Sequence, residues 1–269
     1  MILVTGSSGA LGGLILDRLA GHDVVAGTRS PEPDRGQRLV DFDRPETLVD
    51  GFAGVDVLVF VSAGFADDDV VLARHGAVVD AATAAGVRHV VYTSLVGSGD
   101  GLTIALAHRW TEARLAAAPF AVTVLRNGLY AEIPASMAST AAESGVFAAP
   151  WGDGRMAVVA REDLADVAAK VALDSAAHAG RTYELEGVAA FGGQDVADLL
   201  TTTLDRPITY QPLPLAAAWE APGPRFQVGH GVSLSANVLA GRLDLHPGDL
   251  ETLLDAPPRD ARQVIATKA

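Results

Sequence analysis

The chain has 269 residues, 49% hydrophobic and 20% charged, with no cysteine and a net charge of −13. This profile is globular rather than disordered, and it excludes disulfides, thiolate metal sites and a cysteine nucleophile. The negative balance argues against nucleic acid and membrane partners, because phosphates and anionic lipid both demand clustered Lys and Arg.

The seven histidines are scattered without metal-ligand spacing, so no metal site is expected. A strand begins next to Met1, which leaves no room for a signal segment, and no apolar run approaches the roughly 18 residues of a membrane span. The cytoplasm is the expected compartment.

In chain order, Ile2–Val4 reads as a buried strand, 11–19 as a helix, 24–26 as a second strand and 39–40 as a short third. The almost unbroken apolar run 55–61 suits a strand covered on both faces. Residues 70–85 form a helix that Gly86 is placed to end, after an Asp67-Asp68-Asp69 start that favours the helix dipole. A strand at 89–93, a helix at 102–117 and a strand at 122–125 complete the alternation. Beyond residue 128 helices are expected at 138–143, 162–173 and 195–204, and strands at Thr182–Leu185 and 208–210. Strands alternating with helices imply an α/β fold with a doubly wound parallel sheet, and ligands beyond the carboxyl ends of the strands.

The first such end carries Gly6-Ser7-Ser8-Gly9-Ala10-Leu11-Gly12. Gly6 permits a tight turn, Gly9 lets backbone approach a pyrophosphate, and Gly12 lets helix and strand pack closely. The helix start then offers free N–H groups to phosphate, so Gly6, Ser8, Gly9, Ala10, Leu11 and Gly12 are candidate dinucleotide contacts in a Rossmann-type domain. The spacing is GxxGxxG, not GxGxxG. The second strand ends in Arg29 rather than an acid, and a fixed cation there suits the 2′-phosphate of NADP(H); the alternative is an ordinary surface arginine. Asp41, past the third strand, either accepts from adenine or serves its own loop. Ser62 and Ala63 follow the fourth strand and should run along the cofactor, while Phe65 either walls the nicotinamide or fills core. Asn127 suits the nicotinamide carboxamide, although Asn127-Gly128 equally suits a plain turn.

These residues resemble an atypical short-chain dehydrogenase/reductase. Residues 85–94, Leu125-Arg126-Asn127-Gly128-Leu129-Tyr130, Gly152-Asp153-Gly154-Arg155, Arg161-Glu162-Asp163 and Thr182-Tyr183-Glu184-Leu185 resemble the NmrA-like branch, and within it the type 2 NAD(P)H:quinone oxidoreductases. The resemblance runs from Met1 to about Tyr210 and weakens around 219–226. It implies NADPH as cofactor, hydride transfer to a quinone-like small molecule without flavin, and a monomer or homodimer. It also implies a Rossmann domain over 1–130, with 155–185 returning to it, and a smaller substrate-binding region from 131–154 and 186–269.

One expected feature of short-chain reductases is missing. Their Tyr-x-x-x-Lys acid cannot be formed, because Val96, Pro134, Gly187 and Pro214 stand four residues after the four tyrosines. His108-Arg109-Trp110-Thr111-Glu112 occupies that helix instead. His108 and Glu112 share a face, and the opposite stripe of Leu106, Trp110, Ala113 and Ala117 is expected to pack inside. The polar pair then faces the cofactor cleft or water, and the resemblance favours the cleft for His108. A quinone gains aromaticity on accepting hydride, so a dedicated acid is less necessary. His108 and Tyr130 are the catalytic candidates, orienting a carbonyl oxygen, and Phe65, Ser94 and Tyr130 are the substrate-binding ones. Asp163 is expected to cap a helix or pair with an arginine, and His75 to be a satisfied packing residue. Two alternatives stand beside the quinone reductase: a non-catalytic NADP(H)-binding redox sensor, and an isoflavone-reductase-like reductase of another aromatic electrophile.

Overall fold

The computed structural model describes residues 1–63, 66–97 and 101–267, and only the backbone of Pro33. Phe65 therefore lies outside the described residues. In chain order the elements are β1 (Ile2–Val4), α1 (Ala10–Arg18), β2 (Val24–Thr28), β3 (Arg38–Leu39), α2 (Leu48–Gly51), β4 (Val57–Phe60), α3 (Asp68–Ala84), β5 (His89–Leu95), α4 (Thr103–Ala116) and β6 (Ala121–Asn127). There follow β7 (Leu129–Tyr130), α5 (Glu132–Ser144), β8 (Val146–Ala149), β9 (Arg155–Val159), α6 (Arg161–Leu173), β10 (Thr182–Leu185), β11 (Ala189–Gly192), α7 (Gly193–Leu204), β12 (Thr209–Pro212), α8 (Arg225–Leu239), α9 (Leu250–Leu253) and α10 (Ala261–Ala266).

The chain divides into two compact units. The first comprises Met1–Leu95, Ile104–Asn127 and Leu164–Tyr183; the second comprises Val96–Thr103, Gly128–Asp163 and Glu184–Ala269. The return to the first unit thus begins at Leu164 rather than at 155, because β9 is built into a sheet of the second unit.

The first unit holds a seven-stranded sheet in the order β10-β6-β5-β4-β1-β2-β3. Its pairs β1–β2, β1–β4, β2–β3, β4–β5 and β5–β6 are all parallel. The central strands are apolar on both faces because helices cover both: Leu3, Leu58, Val59, Phe60 and Val91 have no exposed surface. Each fully buried side chain of this kind contributes about 1.5–3 kcal/mol. Arg18 Nε reaches Asp166 at 2.8 Å, which ties α1 to α6 and brings the late segment into this unit.

The second unit contains a three-stranded sheet, β11-β9-β7, and a parallel pair, β12-β8. Helix α5 starts six residues before the predicted 138, with Pro134 in its first turn. Proline is tolerated there because its missing N–H would have no intrahelical partner. Among the described residues no helix is long and apolar enough to cross a membrane.

Helix α4 reverses the predicted face. Leu106 is 51% exposed and Trp110 41%, whereas His108 is 7% exposed and Thr111 fully buried. Its buried positions are Ala105, Ala107, His108, Thr111 and Leu115; the two polar ones find partners, His108 in Tyr92 on β5 and Thr111 in His75 on α3, and paired polar groups can occupy a core that hydrophobicity alone would assign to leucine.

Candidate functional site

Parallel pairing brings the carboxyl ends of six strands of the first unit to one edge. The register Val4↔Ala26, Val4↔Val59, Phe60↔Tyr92 and Leu95↔Asn127 places the turn after β1, Arg29, Ser62, Ala63, Ser94 and Asn127 along it.

Gly6 has φ +60°, and a Cβ on Gly12 would lie 2.3 Å from the Gly6 carbonyl oxygen. No side chain fits between the turn and α1. Gly9 caps α1 with no side-chain hydrogen bond and no acidic residue in the first turn. The first N–H groups of the helix therefore point to a place where an anion is welcome. Gly6, Ser8, Gly9 and Ala10 are exposed, and Leu11 and Gly12 are buried beneath them.

Arg29 is exposed at the end of β2 and makes no ion pair among the described residues. Arg74 is by contrast committed to Asp43, with Nε 2.7 Å from Oδ1 and Nη2 2.9 Å from Oδ2. That pairing lowers the pKa of Asp43. Asp41 turns back on its loop and accepts the Asp43 N–H at 3.1 Å.

Asn127 is 2% exposed, and neither its Oδ1 nor its Nδ2 has a partner. A buried polar atom left unpaired costs about 1–3 kcal/mol, and Asn127 has two of them at the end of β6.

Ser94, the expected substrate donor, has its hydroxyl engaged within the first unit. Its Oγ donates to Glu112 Oε1 at 2.5 Å and accepts from Arg109 Nη1 at 3.2 Å. Glu112 also accepts from Arg109 Nη1 at 2.7 Å and from Arg126 through Nε at 3.0 Å and Nη2 at 2.7 Å. Burial opposes its ionisation, but these donors outweigh burial and lower its pKa. Arg109 stands one turn before Glu112 on α4, a spacing visible in the sequence, whereas Arg126 comes from β6, whose approach the sequence does not show.

His108 turns into the first unit's interior, its Nδ1 2.8 Å from the Tyr92 hydroxyl. Burial lowers its pKa to about 4, so the ring is neutral at pH 7. Tyr92, fully buried, has its pKa pushed up by the same desolvation. His75 is fully buried and doubly hydrogen-bonded, as a satisfied packing residue should be.

In the second unit, Tyr130 sits on β7 opposite Val159, the last residue of β9. Arg161 opens α6 two residues later and lays its guanidinium 4.7 Å from the Tyr130 ring centroid. Its Nη1 is 3.3 Å from Oε1 of Glu132, the first residue of α5, and Glu132 Oε2 is buried without a partner. Arg161 and Glu132 were not among the predicted site residues, although Arg161 opens the Arg161-Glu162-Asp163 segment that carried part of the resemblance. Asp163, 1% exposed, binds Arg259 through the backbone N–H at 2.9 Å and through Nη1, so the expected arginine pairing holds.

The pattern of the NmrA-like family matches residues 1–228. The chain belongs to the NmrA-like family. It is 34% identical over 225 residues to Quinone oxidoreductase 2 of Escherichia coli K12, covering 79% of this chain and 78% of that one. The crystal structure of the NADPH-dependent quinone oxidoreductase of Escherichia coli complexed with NADPH superposes with a TM-score of 0.90 at 30% identity, over 99% of both chains. The Citrobacter sp. triphenylmethane reductase complexed with NADP(H) gives 0.90 at 27% identity, over 100% of this chain and 99% of that one. The Rossmann-type α/β fold expected from the sequence is thus shared with these two structures.

Proposed function

We propose that this NmrA-like chain is an NADPH-dependent oxidoreductase that passes hydride to a quinone or similarly activated acceptor without flavin. The observation that carries the reading is the set of unsatisfied groups along one sheet edge: an uncapped helix start, an unpaired Arg29 and an orphaned Asn127 amide. These fit NADP(H) at three points. The α1 N-terminus and its exposed glycines suit the pyrophosphate, and Arg29 suits the 2′-phosphate, which NADH lacks. Asn127 has donors and acceptors to match a carboxamide. Ser62 and Ala63 border the cofactor between them, and Asp41, with one oxygen held by its loop, flanks the adenine end.

NADPH supplies the hydride when bound. The chain's task is then to hold an acceptor, exclude water and steer one oxygen. Tyr130, braced by Arg161, is the hydroxyl assigned to the acceptor oxygen. His108, neutral and buried, acts as a hydrogen-bonding group and not as an acid at working pH. A quinone suits such a site because the hydroquinone anion takes its proton from water or a weak donor, so no strong acid is needed.

The test mixes purified protein with NADPH and a panel of 1,2- and 1,4-quinones and follows the nicotinamide absorbance. NADPH oxidation above the uncatalysed rate, in protein with no flavin absorbance, is the expected result. Tight NADPH binding with no oxidation by any quinone would instead favour another acceptor.

A further inference from the structure

Where β4 ends, the chain leaves the sheet and its next amides lose their ladder partners. Three successive N–H groups each find a side chain from a different part of the first unit. Val61 N–H donates to Thr5 Oγ1 at 3.0 Å, Ser62 N–H to Thr93 Oγ1 at 3.0 Å, and Ala63 N–H to His75 Nε2 at 3.1 Å. Thr5 directly follows β1 and Thr93 lies on β5, the two strands that flank β4, but His75 reaches across from the middle of α3.

The His75 hydrogen bonds have a fixed direction. A ring nitrogen that accepts from an amide carries no proton, so the proton of the neutral ring is on Nδ1. Nδ1 lies 2.8 Å from Thr111 Oγ1, and Thr111 Oγ1 donates onward to the Ala107 carbonyl at 2.8 Å. Both His75 and Thr111 are fully buried. Phe60 at 5.0 Å, Tyr92 at 5.9 Å and His108 at 6.3 Å wall the ring between centroids. Desolvation lowers the pKa of His75 to about 3, so the arrangement does not change charge near neutrality. Packing alone does not call for histidine here: a Leu or Phe fills such a space with no polar atom to satisfy.

We propose that His75 is a positioning residue: through Ala63 it presets the 61–63 turn as a shelf for the dinucleotide, and through Thr111 it locks that shelf to helix α4, which carries His108. This rests on the reading that Ser62 and Ala63 border the cofactor. Hydride transfer is sensitive to placement, and a misfit of about 1 Å can cost on the order of a hundredfold in rate. A shelf fixed before the cofactor arrives also removes an ordering cost from binding.

The test compares wild type with His75→Phe, His75→Gln and Thr111→Val, each assayed well below its own Tm. In the cofactor-free protein, the Ala63 amide of His75→Phe should exchange with deuterium about tenfold faster or more. The same variant should raise the KM for NADPH about tenfold, and Thr111→Val should move it in the same direction. His75→Gln, whose side-chain carbonyl can accept from Ala63, should recover most of both effects. His75→Phe with a lowered Tm but wild-type KM and kcat would overturn the proposal, because a packing residue alone behaves that way. If the variants fail to fold, nitrogen NMR of wild type decides: an Nδ1-protonated ring from pH 8 to pH 6 is expected, and an Nε2-protonated or cationic ring overturns the proposal. Wild type that binds no NADPH overturns the cofactor reading and the positioning role with it, while Ala63 exchange still reports separately on the anchor.

Discussion

The Ser94 hydroxyl gives its one proton to the Glu112 carboxylate across 2.5 Å. A hydroxyl so engaged is a structural brace, and Glu112 gathers Arg109 and Arg126 around the same brace. Removing the carboxylate would leave two partly buried guanidinium groups without it. Glu112→Ala is expected to cost about 2–4 kcal/mol of stability, at the lower side of a fully buried pair because the arginines keep some solvent. Ser94→Ala should cost only about 1 kcal/mol. Urea unfolding measures both, and a raised acceptor KM in Ser94→Ala at intact stability would restore Ser94 to the substrate site.

Arg29 should set cofactor preference. Arg29→Ala removes charge-assisted bonds worth about 1.5–3 kcal/mol, so NADPH affinity should fall roughly 10- to 150-fold. NADH, without the 2′-phosphate, should bind as before. Titrating both dinucleotides by fluorescence checks this, and an equal loss for both would place Arg29 elsewhere.

Tyr130 and Arg161 form a stacked pair that separates ring from hydroxyl. Tyr130→Phe keeps the stack and should leave Tm nearly unchanged, while lowering kcat/KM for a quinone about tenfold at unchanged NADPH KM. Arg161→Ala should lower both Tm and turnover, since it also releases the Glu132 carboxylate. Steady-state kinetics with melting curves distinguishes the two.

Glu186 gives a pH signature. Burial raises its carboxyl to about 7, Glu184 adds to this, and His246 opposes it. The folded chain thus holds a proton that the unfolded chain releases above 4.5, so this group's contribution is favourable at low pH and is lost as pH rises through 7. Glu186→Gln should therefore raise Tm over wild type at pH 8 and have little effect near pH 4.5. His75 and His108, lowered by burial to about 3 and 4, act in the opposite sense and destabilise any version of the protein as pH falls below 6.5. The comparison is accordingly made between variant and wild type at each pH. An equal Tm gain at both values would show that the gain does not come from a raised Glu186 pKa.

The parallel sheet was legible because β1, β4 and β5 are short apolar runs whose burial on both faces leaves no alternation to misread. The glycine turn was legible because Gly6 and Gly12 answer local steric demands. Helix α4 was not: the rule that apolar stripes face inward fails where His108, Thr111 and Glu112 each meet a partner supplied by Tyr92, His75 or Ser94. Those partners lie 16–36 residues away in sequence, beyond the reach of periodicity. Helix α5 began early because Pro134 reads as a breaker although it occupies the first turn. The Arg161–Tyr130–Glu132 group depended on the β7–β9 pairing, which a two-residue strand does not announce.

The alternation between units has a practical consequence for anyone who would cut or recombine this chain. It passes from one unit to the other after Leu95, Thr103, Asn127, Asp163 and Tyr183. A fragment ending at Asn127 would keep the glycine turn and Arg29 yet strip Arg18 of Asp166 and Val124 of the Arg181 carbonyl, baring the β6 edge to aggregation. The second unit is thus three excursions from the first, and a graft meant to transplant it from a relative has to carry all three together.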